Sequence, residues 1–548
     1  MKLVNLSNLQ NNLLIKIIFL FPIIFYIYIV AQFLLNMPIW DDYDAILTWI
    51  NFVLSKPSLA EFMTVLFGQH NEHRIVFGKL VSLISYFSLG KVDFISLSIF
   101  GVLGLFFVFL LIIYIGKKNN LTLLELLPVP YLMFSLIQWE LISWAMASIS
   151  QYWQLFFSIL SLTIISTSNQ LRNLVLAFIF ATIALYTGGG GLLVFPVIFI
   201  YLLIRKNVKN TFIWFTLTCL VVFVYFIFFH YGAPDSSNIC RNLAFSHLDI
   251  WFQYLLLYLG GDILPIANNS LFLASLWGFL LLQAFIFFSL KKDYKNDSTF
   301  FLIAFNRFDI NLVSAVVPRY YCYTAVFSLM IYFLAFKSFT LYQKFIRIVF
   351  ICISIFVFVF SINSNLKLLA ERYDNMKQIL WYPNDHIDKN CLSNHVYNHA
   401  YEIIKTSINN HSFKPINSVL VNLPLSLPLQ LTNLYIPGYL GHIDGVIVKP
   451  NLIMIQGWAW IKGFKDKPST VIIKVNDKFY PTSFGREKRV DVASFLHNPD
   501  SLMSGYSCGL NFKDCKSLSI TPIIVGKDHR TFYPGSSINV NLKDLKNN

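Results

Sequence analysis

Long apolar runs recur along this chain from its first few dozen residues to about residue 362, more than a water-soluble core of ordinary size can bury. Candidate spans fall near 14–36, 93–116, 121–137, 150–167, 173–186, 190–204, 211–229, 271–290, 299–316, 321–338 and 345–362, about eleven in all. The composition agrees. Of the 548 residues, 56% are hydrophobic and only 13% charged, whereas soluble domains carry roughly 25% charged residues. The segment 75–90 is also apolar, but it is short and interrupted by Lys79, so it reads as a helix lying at the membrane interface. The predicted fold class is an all-α polytopic membrane protein with a C-terminal all-β, sandwich-like soluble domain. Residues 1–362 form the membrane domain with a first outer loop at 37–92. Residues 363–440 form a helical and extended connector, and 441–548 form the β domain, where short runs at 445–448, 452–460, 471–475, 520–525 and 537–540 are separated by Gly, Pro, Asn and Asp.

The net charge of +14 comes mostly from clusters between spans, the pattern of a membrane topology signal rather than a nucleic-acid surface. Placing the N-terminus, with Lys2 and Lys16, in the cytoplasm puts Lys117-Lys118, Arg172, Arg205-Lys206 with Lys209, Lys291-Lys292 with Lys295, and Lys344 with Arg347 on the same side. Treating 75–90 as a span would break that agreement for every later loop. An odd number of spans then puts the C-terminal domain outside. The first run lacks a small-residue cleavage site and has span length, so it reads as an uncleaved anchor. The seven cysteines show no metal-type spacing; Cys508 and Cys515 read equally well as a bridge or as two free thiols.

The same topology gathers the ionisable residues on the outer face. Asp41, Asp42 and Asp44 follow the first span directly, flanked by Trp40 and Tyr43. Carboxylates at a membrane edge are costly and mark a functional site. Partial burial raises a carboxylate's pKa toward the range of a general base, and such a group can also hold a divalent cation. In the same loop His70, Glu72, His73 and Arg74 supply hydrogen-bonding groups. The two histidines stand at helical spacing, too few ligands for zinc, and Arg74 has the planar fork that grips phosphate. Glu140 lies beside an outer turn between Trp139 and the Gln151–Gln154 segment. Gly188–Gly191 lacks the Lys-Ser/Thr ending of a nucleotide loop and reads as a tight reversal. Arg307, and Arg319 with Tyr320, lie in or beside late spans, where a guanidinium seeks an anionic partner such as a lipid phosphate.

These motifs resemble the C-type (GT-C) glycosyltransferases, in particular a bacterial branch of multi-pass proteins. The resemblance rests on the Trp-Asp-Asp-Tyr-Asp exit from the first span, Glu72 to Ile75 preceded by His70 and Asn71, Trp139-Glu140, a Gly-Gly-Leu before an apolar span, and Arg319-Tyr320. It covers about residues 14–340. It implies an inverting glycosyltransferase in the bacterial cytoplasmic (inner) membrane, with its N-terminus cytoplasmic and its C-terminal domain extracytoplasmic. The donor would be a polyprenyl-phosphate-linked sugar and the acceptor a glycan, lipid or protein. Asp41 or Asp42 would be the base and Arg319 the holder of the donor phosphate. No cofactor is implied, and a divalent cation is a secondary alternative. The competing readings are a transporter or flippase of lipid-linked glycans, a glycan polymerase or ligase, and a structural scaffold. A transporter would line a central path with charge, whereas here the charges collect at one face.

Overall fold

The computed structural model describes residues 6–71, 73–168, 170–229, 232, 248–265, 270–290, 317–379, 397–414, 439–449, 452–461, 470–476, 478–482, 489–498, 501, 504–510, 517–525 and 532–541. Glu72, Arg307, Cys515 and the expected span at 299–316 lie outside the described residues. The chain divides into two compact units. One comprises Met1–Asp374 with Leu392–Lys414, and the other Asn375–Cys391 with Pro415–Asn548.

The first unit is helical. Among the described residues, six helices are long and apolar enough to cross a membrane: Leu13–Phe33, Phe94–Lys118, Ala145–Thr167, Val208–Phe228, Pro318–Ser338 and Thr340–Tyr373. Shorter apolar helices occupy Leu171–Thr187, Gly189–Ile204 and Leu271–Phe287, where full spans were expected, and Val76–Leu89, where an interfacial helix was expected. The expected span at 121–137 is broken. Residues after Leu121 turn, then form a short helix at Pro128–Met133, a 3₁₀ turn at Leu136–Gln138 and one further turn at Glu140–Ser143. Pro128 and Pro130 lack the N–H groups that a continuous helix needs. Irregular backbone survives at membrane depth only inside protein, and this segment is buried from Leu126 to Gln138. Its open N–H groups find side-chain acceptors: Leu136 donates to Ser361 Oγ at 3.0 Å and Ile137 to Ser135 Oγ at 3.3 Å.

One helix falls where a loop was expected, at Leu248–Gly260. It crosses Leu271–Leu290 at glycines: a Cβ on Gly260 would lie 1.9 Å from the Ala274 carbonyl oxygen, and one on Gly278 1.9 Å from that of Leu256. Small residues let membrane helices approach backbone to backbone. Within the expected helical and extended connector, one helix closes over the loop 37–92. Helix Tyr397–Asn409 and the residues after it hold that loop through Asn51 Nδ2 to Ser407 Oγ (2.8 Å), Val92 N–H to Ser412 O (2.7 Å) and Asn36 Nδ2 to the Lys414 carbonyl (3.0 Å).

The two ends of the helical unit differ in charge. At one, Lys337 Nζ reaches Asn119 Oδ1 at 3.4 Å and Arg347 pairs with Glu125 at 3.7 Å. At the other, Phe33 at the end of the first helix meets Tyr373 near the end of the last, with ring centroids 5.7 Å apart. The acidic outer-loop residues follow from there.

Among the described residues, the second unit contains eight strands in two antiparallel sheets. The first has the order β1 (Tyr439–Lys449), β2 (Leu452–Ile461), β5 (Gly505–Leu510). The second runs β4 (Lys478–Pro481), β3 (Thr470–Val475), β6 (Ser517–Val525), β7 (Phe532–Pro534), with β8 (Ile538–Asn541) also paired to β6. Ile443, Ile455 and Tyr506 from the first sheet share one buried cluster with Val471, Ile473 and Ile520 from the second. Each expected strand run overlaps an observed strand. Between strands of the domain expected to be all-β, Val490–Phe495 forms a short helix preceded by Arg489, which pairs with Asp444 and Asp491.

Candidate functional site

The chain leaves the first helix and turns at Trp40, whose φ of +45° is left-handed. Such a conformation costs a bulky residue on the order of 1–3 kcal/mol and persists only where its surroundings enforce it. Here they do. The Trp40 ring meets Trp144 edge-on with centroids 4.6 Å apart, and the Arg372 guanidinium lies 4.5 Å from its centroid. The turn sets the two adjacent acids in different environments.

Asp42 is fully buried. One oxygen accepts the N–H of Ile39 at 3.0 Å and the other that of Met146 at 2.7 Å, in the first turn of helix Ala145–Thr167. It therefore pins the outer loop to that helix's N-terminus, where a negative group is favoured. Burial pushes its pKa up from 3.8 to about 7, against the opposing pull of the Met146 and Ile39 N–H groups. The folded chain thus keeps a proton that the unfolded chain has already released. The resulting stability is full below about pH 4 and is lost as the pH rises through about 7. Asp42→Asn should remove this slope: the wild type loses thermal stability relative to the variant between pH 5 and pH 8. Parallel melting profiles across that range would contradict the assignment.

Asp41 faces outward. Its side chain is 40% exposed, and a carboxylate oxygen lies 4.0 Å from His70 Nε2. His70 and His73 do not share a helix face as their spacing predicted. They close a tight turn by reciprocal backbone hydrogen bonds of 2.7 and 2.9 Å, with Asn71 left-handed at φ +49°. The glycine run meets this turn. A Cβ on Gly189 would come within 2.4 Å of His73 Nδ1, so only glycine admits the imidazole there.

Beside Trp40 stands a cluster of charge and aromatic rings. Glu140 lies 3.5 Å from Arg319 and 3.7 Å from Arg372, and its carbonyl accepts an Arg372 N–H at 3.1 Å. Arg372 stacks at 4.1 Å from the Trp139 centroid, and Arg319 lies 5.6 Å from that of Trp144 and 5.2 Å from that of Tyr320. Two guanidiniums thus share one carboxylate among three tryptophans, and these three charges sum to one positive. Among the described residues, the indole N–H groups of Trp139 and Trp144 are buried without an acceptor. Buried donors without partners are rare and call for an explanation such as a ligand or water. Tyr323 O–H donates to Gln151 Oε1 at 2.9 Å one turn further into the helices.

The site brings together Asp41, Asp42, His70, His73, Glu140, Arg319 and Tyr320. Asp44 lies within the π-helical turn Tyr43–Thr48 that leads away from Asp42. Arg74 is fully buried and occupied elsewhere: its guanidinium donates to the carbonyls of Phe67, Tyr225 and Phe229 and stacks against the Tyr225 ring. Its place is the joint between the outer loop and the end of helix Val208–Phe228. Among the described residues no group of three or more His, Cys, Asp or Glu side chains stands together as a metal-binding set, so the divalent-cation alternative gains no geometric support. Arg372 was not anticipated. Its signal is the unbroken run from Gln343 to Ile379, free of Gly and Pro, which carries the last helix well past its apolar part.

Comparison with protein families, with curated proteins and with solved structures finds no match to this chain.

Proposed function

We propose that this protein is an integral membrane glycosyltransferase that moves a sugar from a polyprenyl-phosphate carrier to a glycan, lipid or protein acceptor at the outer face of the bacterial cytoplasmic membrane. The observation that carries this reading is the Glu140–Arg319–Arg372 cluster, where two guanidiniums and two buried indole N–H groups meet, next to Asp41, whose side chain is 40% exposed. A phosphate ester bearing a sugar matches each part. The phosphate meets the guanidiniums, sugar oxygens accept the indole N–H groups, and sugar faces stack on the rings. The polyprenyl chain lies along apolar helix surface. The clustering of these groups at the end opposite the lysine-rich loops supports the outward orientation, and the C-terminal β domain, read as a sandwich, is extracytoplasmic in this reading.

Asp41 is then the base. It takes the proton from the acceptor hydroxyl as the acceptor oxygen forms its bond to the anomeric carbon. The bond from that carbon to the phosphate oxygen breaks, and its electron pair leaves on the polyprenyl phosphate, stabilised by Arg319. Displacement from the opposite face inverts the anomeric centre. Asp42 holds the loop that presents Asp41, and His70 orients the carboxylate.

The test is release of polyprenyl phosphate from a panel of polyprenyl-phosphate sugars by the purified protein supplied with glycan, lipid and peptide acceptors, with the sugar recovered on an acceptor. Turnover with at least one donor, reduced about 10²–10³-fold in Arg319→Ala, is the expected result, since one preorganised charge is typically worth that much. Turnover unaffected by Arg319→Ala would remove the assignment.

A further inference from the structure

A cavity of about 720 Å³ opens at the lysine-rich end of the helical unit, away from the Glu140 cluster. The helix that carries Arg319 just before its start reaches this cavity at its far end, where Lys337 lies, after roughly 27 Å of helix. Lys118 and Arg205 join Lys337 in the cavity lining, and all three are exposed. The acid there, Glu125, is already engaged: it pairs with Arg347 at 3.7 Å and accepts the Thr122 N–H at 2.7 Å. Among the described lining residues, three side chains are cationic and one is acidic. The deeper wall is apolar, with Leu162, Met330 and Phe333, and belongs to helices of membrane-spanning length.

We infer that this cavity is an anionic-lipid site in which Lys118 and Arg205 hold a phosphodiester headgroup while the proximal hydrocarbon chain lies against Met330 and Phe333. Charge and apolar surface are continuous in one cavity, and a single ligand must satisfy both. A free phosphate would leave the apolar wall wet, and a zwitterionic lipid would bring a cation toward Lys118 and Arg205. A negative leaflet attracts such basic clusters, each cation near the surface contributing about 1 kcal/mol. The inference is independent of the glycosyl-transfer reading, because no residue is shared between the two sites.

The experiment uses the purified full chain, delipidated in neutral detergent and titrated separately with phosphatidylglycerol, phosphatidylcholine and inorganic phosphate. Thermal midpoint and retained lipid by native mass spectrometry are the readouts. Phosphatidylglycerol should raise the midpoint and remain bound, and the other two should do neither. The double variant Lys118→Gln/Arg205→Gln should weaken phosphatidylglycerol binding by about tenfold or more, equivalent to about 1.4 kcal/mol or more. Arg205→Gln alone should weaken it in the same direction, which keeps the test valid if the double variant folds poorly. Equal phosphatidylglycerol binding by wild type and both variants would overturn the inference. So would an equal midpoint shift with inorganic phosphate, which would mark a soluble-anion site.

Discussion

Asp41→Asn lowers the rate of sugar release from a polyprenyl-phosphate donor by about 10²–10⁴-fold, the usual contribution of a positioned general base. The argument is one of exposure and partnership. Of two adjacent acids, Asp42 is buried with both oxygens taken by backbone N–H groups, and a carboxylate so engaged is poorly placed to meet an acceptor hydroxyl. Asp41 is 40% exposed and has an imidazole at 4.0 Å. The amide keeps the shape of Asp41 but takes up no proton, so turnover should fall while affinity for the donor holds. Donor turnover measured for Asp41→Asn and Asp42→Asn in parallel decides between the two acids. Full activity in Asp41→Asn with none in a folded Asp42→Asn would reverse their roles.

Arg74→Met destabilises the helical unit by about 3–5 kcal/mol, the cost of breaking a buried charged hydrogen-bonding set. Methionine retains the apolar stem, so the loss isolates the guanidinium. Its removal deprives the Phe67, Tyr225 and Phe229 carbonyls of their donor and frees the outer loop from the end of helix Val208–Phe228. Unfolding in mixed micelles, followed by tryptophan fluorescence, reads the change. A variant of unchanged stability that no longer binds polyprenyl phosphate would instead make Arg74 a ligand to the donor.

The sequence was most readable where a single period dominates. Long apolar runs gave the spans from Phe94 to Lys118 and around Tyr321–Ser338, and alternating runs gave the strands of the second unit. It was least readable where tertiary packing replaces regular hydrogen bonding. The segment 121–137 has the composition of a span, yet its prolines and its partner Ser361, 225 residues from Leu136, turn it into a broken buried path. Leu248–Gly260 was hidden because its packing depends on a close approach to another helix, through its own Gly260 and through Gly278 of that helix. At the site, the clustering of acids was legible from charge and topology. The division of labour between Asp41 and Asp42 was not, because it depends on Met146, about a hundred residues away. Arg74 shows the reverse error. Its residue type suits phosphate, but three backbone carbonyls claim it, and no local pattern encodes them.

Binding of polyprenyl monophosphate, the leaving group common to every such donor, tests the central assignment most directly, since it needs no knowledge of the sugar or the acceptor. Quenching of the Trp40, Trp139 and Trp144 fluorescence during titration reports occupancy of the cluster. Saturable binding that weakens about tenfold or more in Arg319→Ala, and is retained in Asp41→Asn, is the predicted result. Affinity identical in wild type and Arg319→Ala would contradict the account.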